Sequence, residues 1–298
     1  MQRSLLTNIF LFIFIVALGT FLFTNEIDQN GTFKLSDLTA NSIQRIEIQH
    51  RQRHILIEKN DGQWQIKNPI AITANQFRIR TLLGMLETSS HAQYDVNGLD
   101  LKKYELENTE TSIRLNDTLF EFGNTNPVNN YRYVKTGNTL HLIDDLFYPL
   151  VGSQIGTLVA RELISENKTI NKLVLPEQTL GRDENGLWRG DKEISSDAIV
   201  ETIYQWQHNQ AFSVHDYTMH DALGEIQVYL SNTDTPINFV ITATEPWLII
   251  ARPDLELEYH FNVEDYDALL RPGVLTQNSE DSLQVSPDEF LDAIQSSK

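Results

Sequence analysis

Hydrophobic and polar residues alternate with the two-residue period of a β-strand along much of this chain. Ile55 and Ile57 alternate with polar residues, and Asp61-Gly62 separates them from Trp64 and Ile66. Because both residues of an Asp-Gly pair tolerate positive φ, the pattern predicts a β-hairpin. Further short strands are predicted at residues 43–48, 112–115, 119–122, 131–134 and 140–143.

One segment between the predicted strands has the spacing of apolar residues that is typical of a helix. Apolar residues recur at the spacing of one helix face, at Ile79, Leu82, Leu83 and Leu86. Thr73 and Gln76 stand three residues apart just before this stripe, which is the pattern of a capping box. We therefore predict an amphipathic helix that begins near Thr73.

The same order of elements recurs about 120 residues later, so we predict an internal duplication. Asn185-Gly186-Leu187-Trp188 matches Asp61-Gly62-Gln63-Trp64, which makes Gly62, Trp64, Gly186 and Trp188 the residues that define the repeat. Ser195 or Ser196 is the predicted cap of the second helix. Its apolar stripe is Ile199, Ile203 and Trp206, and the later strands are predicted at 226–230, 237–242, 247–251 and 257–261.

The predicted fold is α+β, with two tandem copies of a mostly antiparallel β-sheet plus helix module after one N-terminal transmembrane helix. Short strands joined by tight turns favour antiparallel pairing. The two tryptophans beside the hairpin turns are expected to pack in the core or on a sheet face. The predicted segments are a membrane anchor at 1–24, a polar stalk at 25–41, a first copy at 42–151, a connecting segment at 152–168, a second copy at 169–275 and a mobile tail with a short helix at 276–298.

The N-terminal residues predict a membrane anchor. No charged residue interrupts Ser4–Thr24, and roughly 20 residues at 1.5 Å each span a hydrocarbon core of about 30 Å. Arg3 precedes the span and Glu26 follows it, so the N-terminus is expected in the cytoplasm and the rest outside it. A cleaved signal peptide is the alternative. The anchor residues include Leu5, Phe10, Phe14, Leu18 and Phe23.

A further helix is predicted in the segment that connects the two copies. The apolar residues of Val151–Glu166 recur at a helical spacing, so this segment is expected to be a partly buried connecting helix.

Composition excludes several classes of function. The net charge of −18 argues against nucleic acid as a partner, because phosphate binding needs clustered Lys and Arg. The chain has no cysteine, which excludes disulfides, thiolate metal sites and a cysteine nucleophile. It also lacks a Gly-x-Ser-x-Gly elbow and a Walker loop. We therefore predict no cofactor and no catalytic residue.

One loop of the second copy is rich in groups that bind metals. His215, Asp216, His220 and Asp221 could together hold Zn²⁺ or a similar ion, although their spacing fits no known zinc signature. A solvated loop is the simpler interpretation, and a metal-dependent hydrolase is kept as an alternative. Asp144-Asp145 and Glu264-Asp265 occupy matching points of the two copies and are predicted to begin helices, where acids stabilise exposed N–H groups.

Four motifs resemble one known family. They are Asp61-Gly62-Gln63-Trp64 with Pro69, Asn97-Gly98-Leu99-Asp100, Tyr131-Arg132-Tyr133-Val134 and Leu140–Ile143. With the anchor, they resemble the bacterial domain of unknown function 4340 family over about residues 40–165. The resemblance implies a bacterial, membrane-anchored, extracytoplasmic protein, whose relatives often accompany ABC transporter components of the gliding-motility type. It carries over no catalytic residue.

The expected function is therefore a non-enzymatic scaffold or accessory protein on the periplasmic side of the inner membrane. Its partners would be the lipid bilayer, through the N-terminal helix, and another envelope protein of an ABC-type export or gliding-motility-like system. The alternatives are a periplasmic binding module for a small molecule or cell-envelope glycan, and the metal-dependent hydrolase.

Overall fold

The structure is a computed structural model that describes residues 33–231 and 233–274. The predicted transmembrane helix and residues 25–32 of the predicted polar stalk lie outside the described residues, as does the tail at 276–298. Within the part of the chain that is described, no helix is long and apolar enough to cross a membrane.

The secondary structure is dominated by short strands. They are β1 (Phe33–Lys34), β2 (Arg45–His50), β3 (Arg53–Asn60), β4 (Gln63–Asn68), β5 (Ile72–Thr73), β6 (Ser89–Ser90), β7 (Ala92–Asp95), β8 (Thr111–Leu115), β9 (Thr118–Thr125), β10 (Arg132–Thr136), β11 (Thr139–Ile143), β12 (Ile170–Val174), β13 (Thr179–Arg182), β14 (Trp188–Gly190), β15 (Ser213–Asp216), β16 (Gly224–Leu230), β17 (Ile237–Ala243), β18 (Trp247–Arg252) and β19 (Leu257–Asn262).

The helices of the described residues are fewer and shorter. They are α1 (Gln76–Leu83), α2 (Tyr148–Val151), α3 (Ser196–His208) and α4 (Asp265–Leu270). Turns of 3₁₀ helix lie at Ala40–Ser42, Gly84–Glu87, Leu101–Tyr104, Ile155–Leu158 and Pro253–Leu255. Every strand pairing that the structure shows in register is antiparallel, so the α+β class and the antiparallel sheets predicted from sequence are confirmed.

The described residues form two compact units. Unit 1 contains the residues up to Ile43 together with Leu83–Tyr148, and unit 2 contains Gln44–Leu82 together with the residues from Pro149 onward. These boundaries differ from those of the predicted copies, because β2 to β5 and nearly all of α1 group with the second copy. The predicted polar stalk is wrong at its C-terminal end, where β1 pairs with β6 and Leu35 is buried in unit 1.

The strands of the two predicted copies occur in a matching order, apart from the two-residue strands β5 and β6, which have no counterpart among the described strands of the second copy. In the first copy β2, β3 and β4 are neighbours, and in the second β12, β13 and β14 are neighbours. After the helix, β8 to β11 form a meander, and the strand that precedes it, β7, pairs with its last strand. In the second copy β16 to β19 form the same meander, and β15 pairs with β19.

The hairpin turns that define the repeat have the backbone that their sequence predicts. Asp61 and Gly62 have φ of 49° and 83°, and Gly186 has φ of 77°. A residue other than glycine would be strained at either glycine, whatever space surrounds it.

The tryptophan that follows each turn lies in a similar environment, buried and next to a cation. Trp64 and Trp188 are both buried, and each lies beneath a cation of the neighbouring strand, Lys59 at 5.7 Å and Arg182 at 4.7 Å from the ring centroid. The side chain of the first residue of the following helix then donates a hydrogen bond to the tryptophan carbonyl oxygen. In α1, Gln76 Nε2 donates to Trp64 at 3.0 Å, and in α3, Ser196 Oγ donates to Trp188 at 3.2 Å.

The predicted start of the first helix is wrong, and that of the second is confirmed. Thr73 lies in β5, and the N-terminus of α1 is capped by Asn75, whose Oδ1 accepts from the Arg78 N–H at 3.0 Å. Gln76 is unavailable for a capping box because its amide binds the backbone of Trp64. Ser195 caps α3 by accepting from the Ala198 N–H at 3.2 Å.

The connecting helix predicted over Val151–Glu166 is also wrong. This segment contains the 3₁₀ turn at Ile155–Leu158 and then runs extended, with single β-bridges from Val159 to Ala74 and from Glu162 to Gln210. Its apolar side chains are nevertheless buried, at Leu158, Val159, Leu163 and Ile164. The apolar residues of this segment are therefore spaced as in a helix because the segment is buried between two neighbouring segments, and not because it is helical.

A buried histidine makes the stability of unit 1 depend on pH. His141 in β11 is 3% exposed, and its Nδ1 has no hydrogen-bond partner among the described residues. Burial lowers the pKa of His141 below its ordinary value of 6.5. The unfolded chain thus binds more protons than the folded chain below that pH, so the free energy of unfolding falls as the pH falls toward the folded pKa.

We expect His141→Leu to reduce this acid sensitivity. The full-length chain should lose thermal stability between about pH 7.5 and about pH 5.5, and the loss should be smaller in His141→Leu. His220→Gln is the matched control, because His220 is exposed. Equal losses in the two variants, measured by circular dichroism, would show that His141 does not determine the acid sensitivity.

Candidate functional site

The predicted metal-binding residues do not form a set of ligands. His215 lies on β15 with Nε2 at 3.0 Å from Ser213 Oγ, and His220 lies in the following loop with Nε2 at 2.8 Å from Thr218 Oγ1. Asp216 and Asp221 are exposed. Among the described residues, no group of three or more His, Asp or Glu side chains could hold a metal ion.

The loop after β15 is instead hydrogen-bonded to the sheet through a buried carboxylate, which was not identified from the sequence. Glu258 in β19 is 7% exposed, and its Oε1 lies 2.8 Å from Nε2 of His260, two residues along the same strand face. Its Oε2 accepts from the Thr218 N–H at 3.4 Å. The His260 ring also meets the edge of His215, with centroids 4.8 Å apart. These contacts position β15 and the loop after it.

Beside this cluster, two aromatic rings form an exposed pair in unit 2. Phe212, just before β15, meets Trp247, at the start of β18, with ring centroids 5.2 Å apart and an interplanar angle of 67°. Phe212 is 44% exposed and Trp247 is 46% exposed. Val263, 40% exposed, and Pro246 line a shallow depression together with Glu245. An apolar patch with a polar rim is typical of a binding surface.

A corresponding pair of rings lies in unit 1. His91, just before β7, stacks on Tyr131, just before β10, with centroids 3.9 Å apart and planes 4° apart. The imidazole also meets an acid, with Nε2 at 3.3 Å from Oδ1 of Asp144. His91 is exposed and Tyr131 is half-buried.

The strand registers place the two ring pairs at equivalent positions of the two copies. The N–H of His91 donates to the carbonyl oxygen of Leu142 in β11, and the N–H of Phe212 donates to that of His260 in β19. The residue opposite Leu142 in β10 comes two residues after Tyr131. In the same way, the residue opposite His260 in β18 comes two residues after Trp247. Both sheets therefore carry a ring pair at this position, with both rings exposed in unit 2 and only His91 exposed in unit 1.

The acids predicted at the helix starts have different roles in the two copies. Glu264 is the N-cap residue of α4, and Asp265 lies in its first turn, as predicted. The prediction is wrong for the first copy, where α2 begins only at Tyr148. Asp145 instead forms a two-point ion pair with Arg132, whose guanidinium lies 3.7 Å over the Tyr148 ring.

A second candidate site is a polar cleft of about 390 Å³ within unit 2. It is lined by residues of β4, β5 and α1, of the extended connecting segment and of the end of α3. These are Gln63, Thr73, Ala74, Asn75, Gln76, Phe77, Arg80, Ala160, Arg161, Glu162, Ser165, Glu166, Asn167, Gln207, His208 and Gln210. This volume lies at the lower end of the range for small-molecule sites, roughly 300–1,000 Å³.

Comparison with known proteins finds one family. Residues 64–204 match the model of the family described as Domain of unknown function (DUF4340). Neither the curated proteins nor the solved structures contain a match to this chain. The matched range begins at the first buried tryptophan and ends within α3, so it contains Tyr131 and His91 and one wall of the polar cleft.

Proposed function

We propose that this chain, which belongs to the DUF4340 family, is a non-enzymatic scaffold or accessory protein of the bacterial envelope. It binds a partner protein through its two ring pairs. It is anchored in the inner membrane by residues 1–24, with its N-terminus in the cytoplasm and its bulk on the periplasmic side. The partner belongs to an ABC-type export or gliding-motility-like system. The anchor is supported by the uncharged run Ser4–Thr24, and the setting by the family resemblance.

The single observation that carries this proposal is the pair of rings at the same topological position of both copies. Aromatic side chains are enriched at protein interfaces, where they supply large contact areas at low entropic cost. Phe212 and Trp247 differ in type from His91 and Tyr131, so the position of the pair recurs but its chemistry does not. We infer that each pair contacts a different part of the partner, and that the internal duplication provides two contact points on one chain.

The net charge of the chain indicates what charge the partner's surface should carry. With a net charge of −18, the chain attracts a basic surface and repels an acidic one. Glu245 lies beside Pro246, and Asp144 lies against the His91 ring, so acids border both ring pairs. Aromatic rings bordered by acids suit partner segments that combine Arg or Lys with apolar side chains.

Site-specific photo-crosslinking in intact cells tests this proposal. Benzoylphenylalanine at Phe212 or Tyr131 should give adducts with the same basic envelope protein, identified by mass spectrometry. Leu187 is the control position, because it is 55% exposed and immediately precedes β14, at the opposite edge of its sheet from β15. Absence of adducts at both ring positions, or the same adducts at Leu187, would count against the proposal.

A further inference from the structure

We propose that the polar cleft of unit 2 is a second binding site, which takes a neutral, hydroxyl-rich ligand such as a segment of an envelope glycan. This site is independent of the ring pairs: none of its lining residues belongs to them. The inference rests on the rigidity of the cleft, the charge balance of its lining and the groups that it leaves unpaired.

The walls of the cleft are held in place by backbone hydrogen bonds. The Asn75 N–H donates to the Leu158 carbonyl oxygen at 2.7 Å, and the Ala160 N–H donates to that of Thr73 at 2.9 Å. On the opposite side, the Ala211 N–H donates to the Arg161 carbonyl oxygen at 3.0 Å. The extended segment at the base is thus tied both to the start of α1 and to the residues after α3. A site formed in advance avoids the entropic cost of ordering its walls on binding.

The charges of the cleft balance one another. Arg80 and Arg161 line it together with Glu162 and Glu166. Arg161 donates to Gln210 Oε1 at 2.5 Å, and Gln210 Nε2 donates to Glu162 Oε1 at 2.8 Å, so part of this charge is linked through an amide. In a chain of net charge −18, a locally neutral site offers no compensation for burying an anion. A ligand without net charge fits this electrostatic environment best.

The remaining lining groups match the two faces of a sugar. Side-chain amides both donate and accept hydrogen bonds, as hydroxyl groups do, and the lining contains Gln63, Asn75, Asn167 and Gln207. One polar atom of each amide already bonds within the protein: Asn167 Nδ2 donates to Gln63 Oε1, Gln207 Nε2 donates to the Lys168 carbonyl oxygen, and Asn75 Oδ1 accepts from the Arg78 N–H. Within the described residues, the other polar atom of each amide is left for a ligand. Phe77 is 64% exposed at the edge of the cleft and offers an apolar face to the C–H side of a pyranose ring.

One cation of the cleft is available to a ligand. Arg80 follows Phe77 by three residues on the same side of α1, and it forms no hydrogen bond or ion pair with the described residues. On the opposite wall, His208 is stacked on Tyr204 with centroids 4.0 Å apart, and its Nε2 lies 3.9 Å from Oε2 of Glu166. A guanidinium and a carboxylate thus face a ligand that carries both donors and acceptors.

In the described residues of the second copy, the two side chains that distinguish this site are replaced. If the N-caps Asn75 and Ser195 are aligned, Phe77 and Arg80 correspond to Asp197 and Val200. Both copies therefore have an N-cap residue at this position, but only the first copy has the aromatic and cationic side chains after it. The cleft is therefore a property of one copy and of the connecting segment packed on it.

Saturation-transfer NMR on the full-length chain tests the proposal with defined probes. The neutral trisaccharides maltotriose, cellotriose and tri-N-acetylchitotriose would be compared with the anionic trigalacturonate. We expect at least one neutral probe to bind with a dissociation constant on the order of 1 mM or tighter. Phe77→Ala and Arg80→Ala should each weaken its binding by about tenfold.

Arg78→Ala is the matched control, because Arg78 is an exposed arginine of the same helix that does not line the cleft. It should bind the probe like the wild type. Binding of trigalacturonate alone, binding of no neutral probe, or undiminished binding by Phe77→Ala would overturn the proposal. None of these results bears on the crosslinks at Phe212 and Tyr131, so the two proposals fail separately.

Discussion

Replacing Trp206 with alanine should lower the free energy of unfolding by about 3–5 kcal/mol. The indole is fully buried, and it meets Phe239 edge to face with ring centroids 5.3 Å apart. Its Nε1–H donates to the carbonyl oxygen of Leu269 at 2.8 Å. The substitution leaves a large cavity between α3, α4 and β17, and it removes the donor from a carbonyl group. Because whole domains are stable by about 5–15 kcal/mol, the variant should be close to unfolding.

Urea unfolding of the full-length chain, followed by circular dichroism, measures this loss. Trp206→Phe keeps most of the packing and removes the hydrogen bond, so it should cost less, about 1–3 kcal/mol. Trp247→Ala is the matched control, since Trp247 is 46% exposed and its removal should change stability by less than about 1 kcal/mol. Similar losses for the alanine variants at 206 and 247 would contradict the packing described here.

Replacing Gly156 with alanine should destabilise unit 2 by about 1–3 kcal/mol, because an added methyl group has no room. A Cβ at this position would come within 2.7 Å of the carbonyl carbon of Val214 and also overlap its oxygen. Both atoms belong to the backbone of β15, so the 3₁₀ turn and the strand would have to separate. Phe212 immediately precedes β15, and the same variant should therefore weaken the adduct formed at the ring pair.

Gly181→Ala is the control for this substitution. Gly181 lies in β13, where the nearest atom to an added Cβ is Lys172 Cγ at 3.9 Å, an ordinary contact. Thermal unfolding should give a clear decrease in the melting temperature for Gly156→Ala and little change for Gly181→Ala. Equal melting temperatures in the two variants would mean that β15 and the 3₁₀ turn are not packed closely.

The strands and the buried tryptophans could be predicted from the sequence because they follow from local patterns. Alternation with period two sets the faces of a strand, and Asp61-Gly62 sets its turn. The connecting segment could not be predicted in this way. Leu158, Val159 and Leu163 are buried, and burial alone does not distinguish a helix from an extended segment enclosed by neighbours. The capping box failed because Thr73 was already part of a strand.

The ring pairs and the cleft depend on tertiary structure. Phe212 and Trp247 are far apart in the chain, and only the pairing of β15 and β18 with β19 brings their rings together. The cleft combines residues from four separate stretches, and the connecting segment at its base was predicted to be a helix. His215, Asp216, His220 and Asp221 are neighbours in sequence, yet the two histidines bond to Ser213 and Thr218 instead of to a common centre.

The affinity of the full-length chain for the partner captured at Phe212 tests the central claim most directly. The Phe212→Ala, Trp247→Ala double variant should bind this partner at least tenfold more weakly than the wild type. Aromatic residues at the centre of an interface typically contribute about 2 kcal/mol or more. The exposed control Leu187→Ala should bind with unchanged affinity. A double variant that is folded and binds as tightly as the wild type would contradict the claim that the ring pairs form the partner-binding surface.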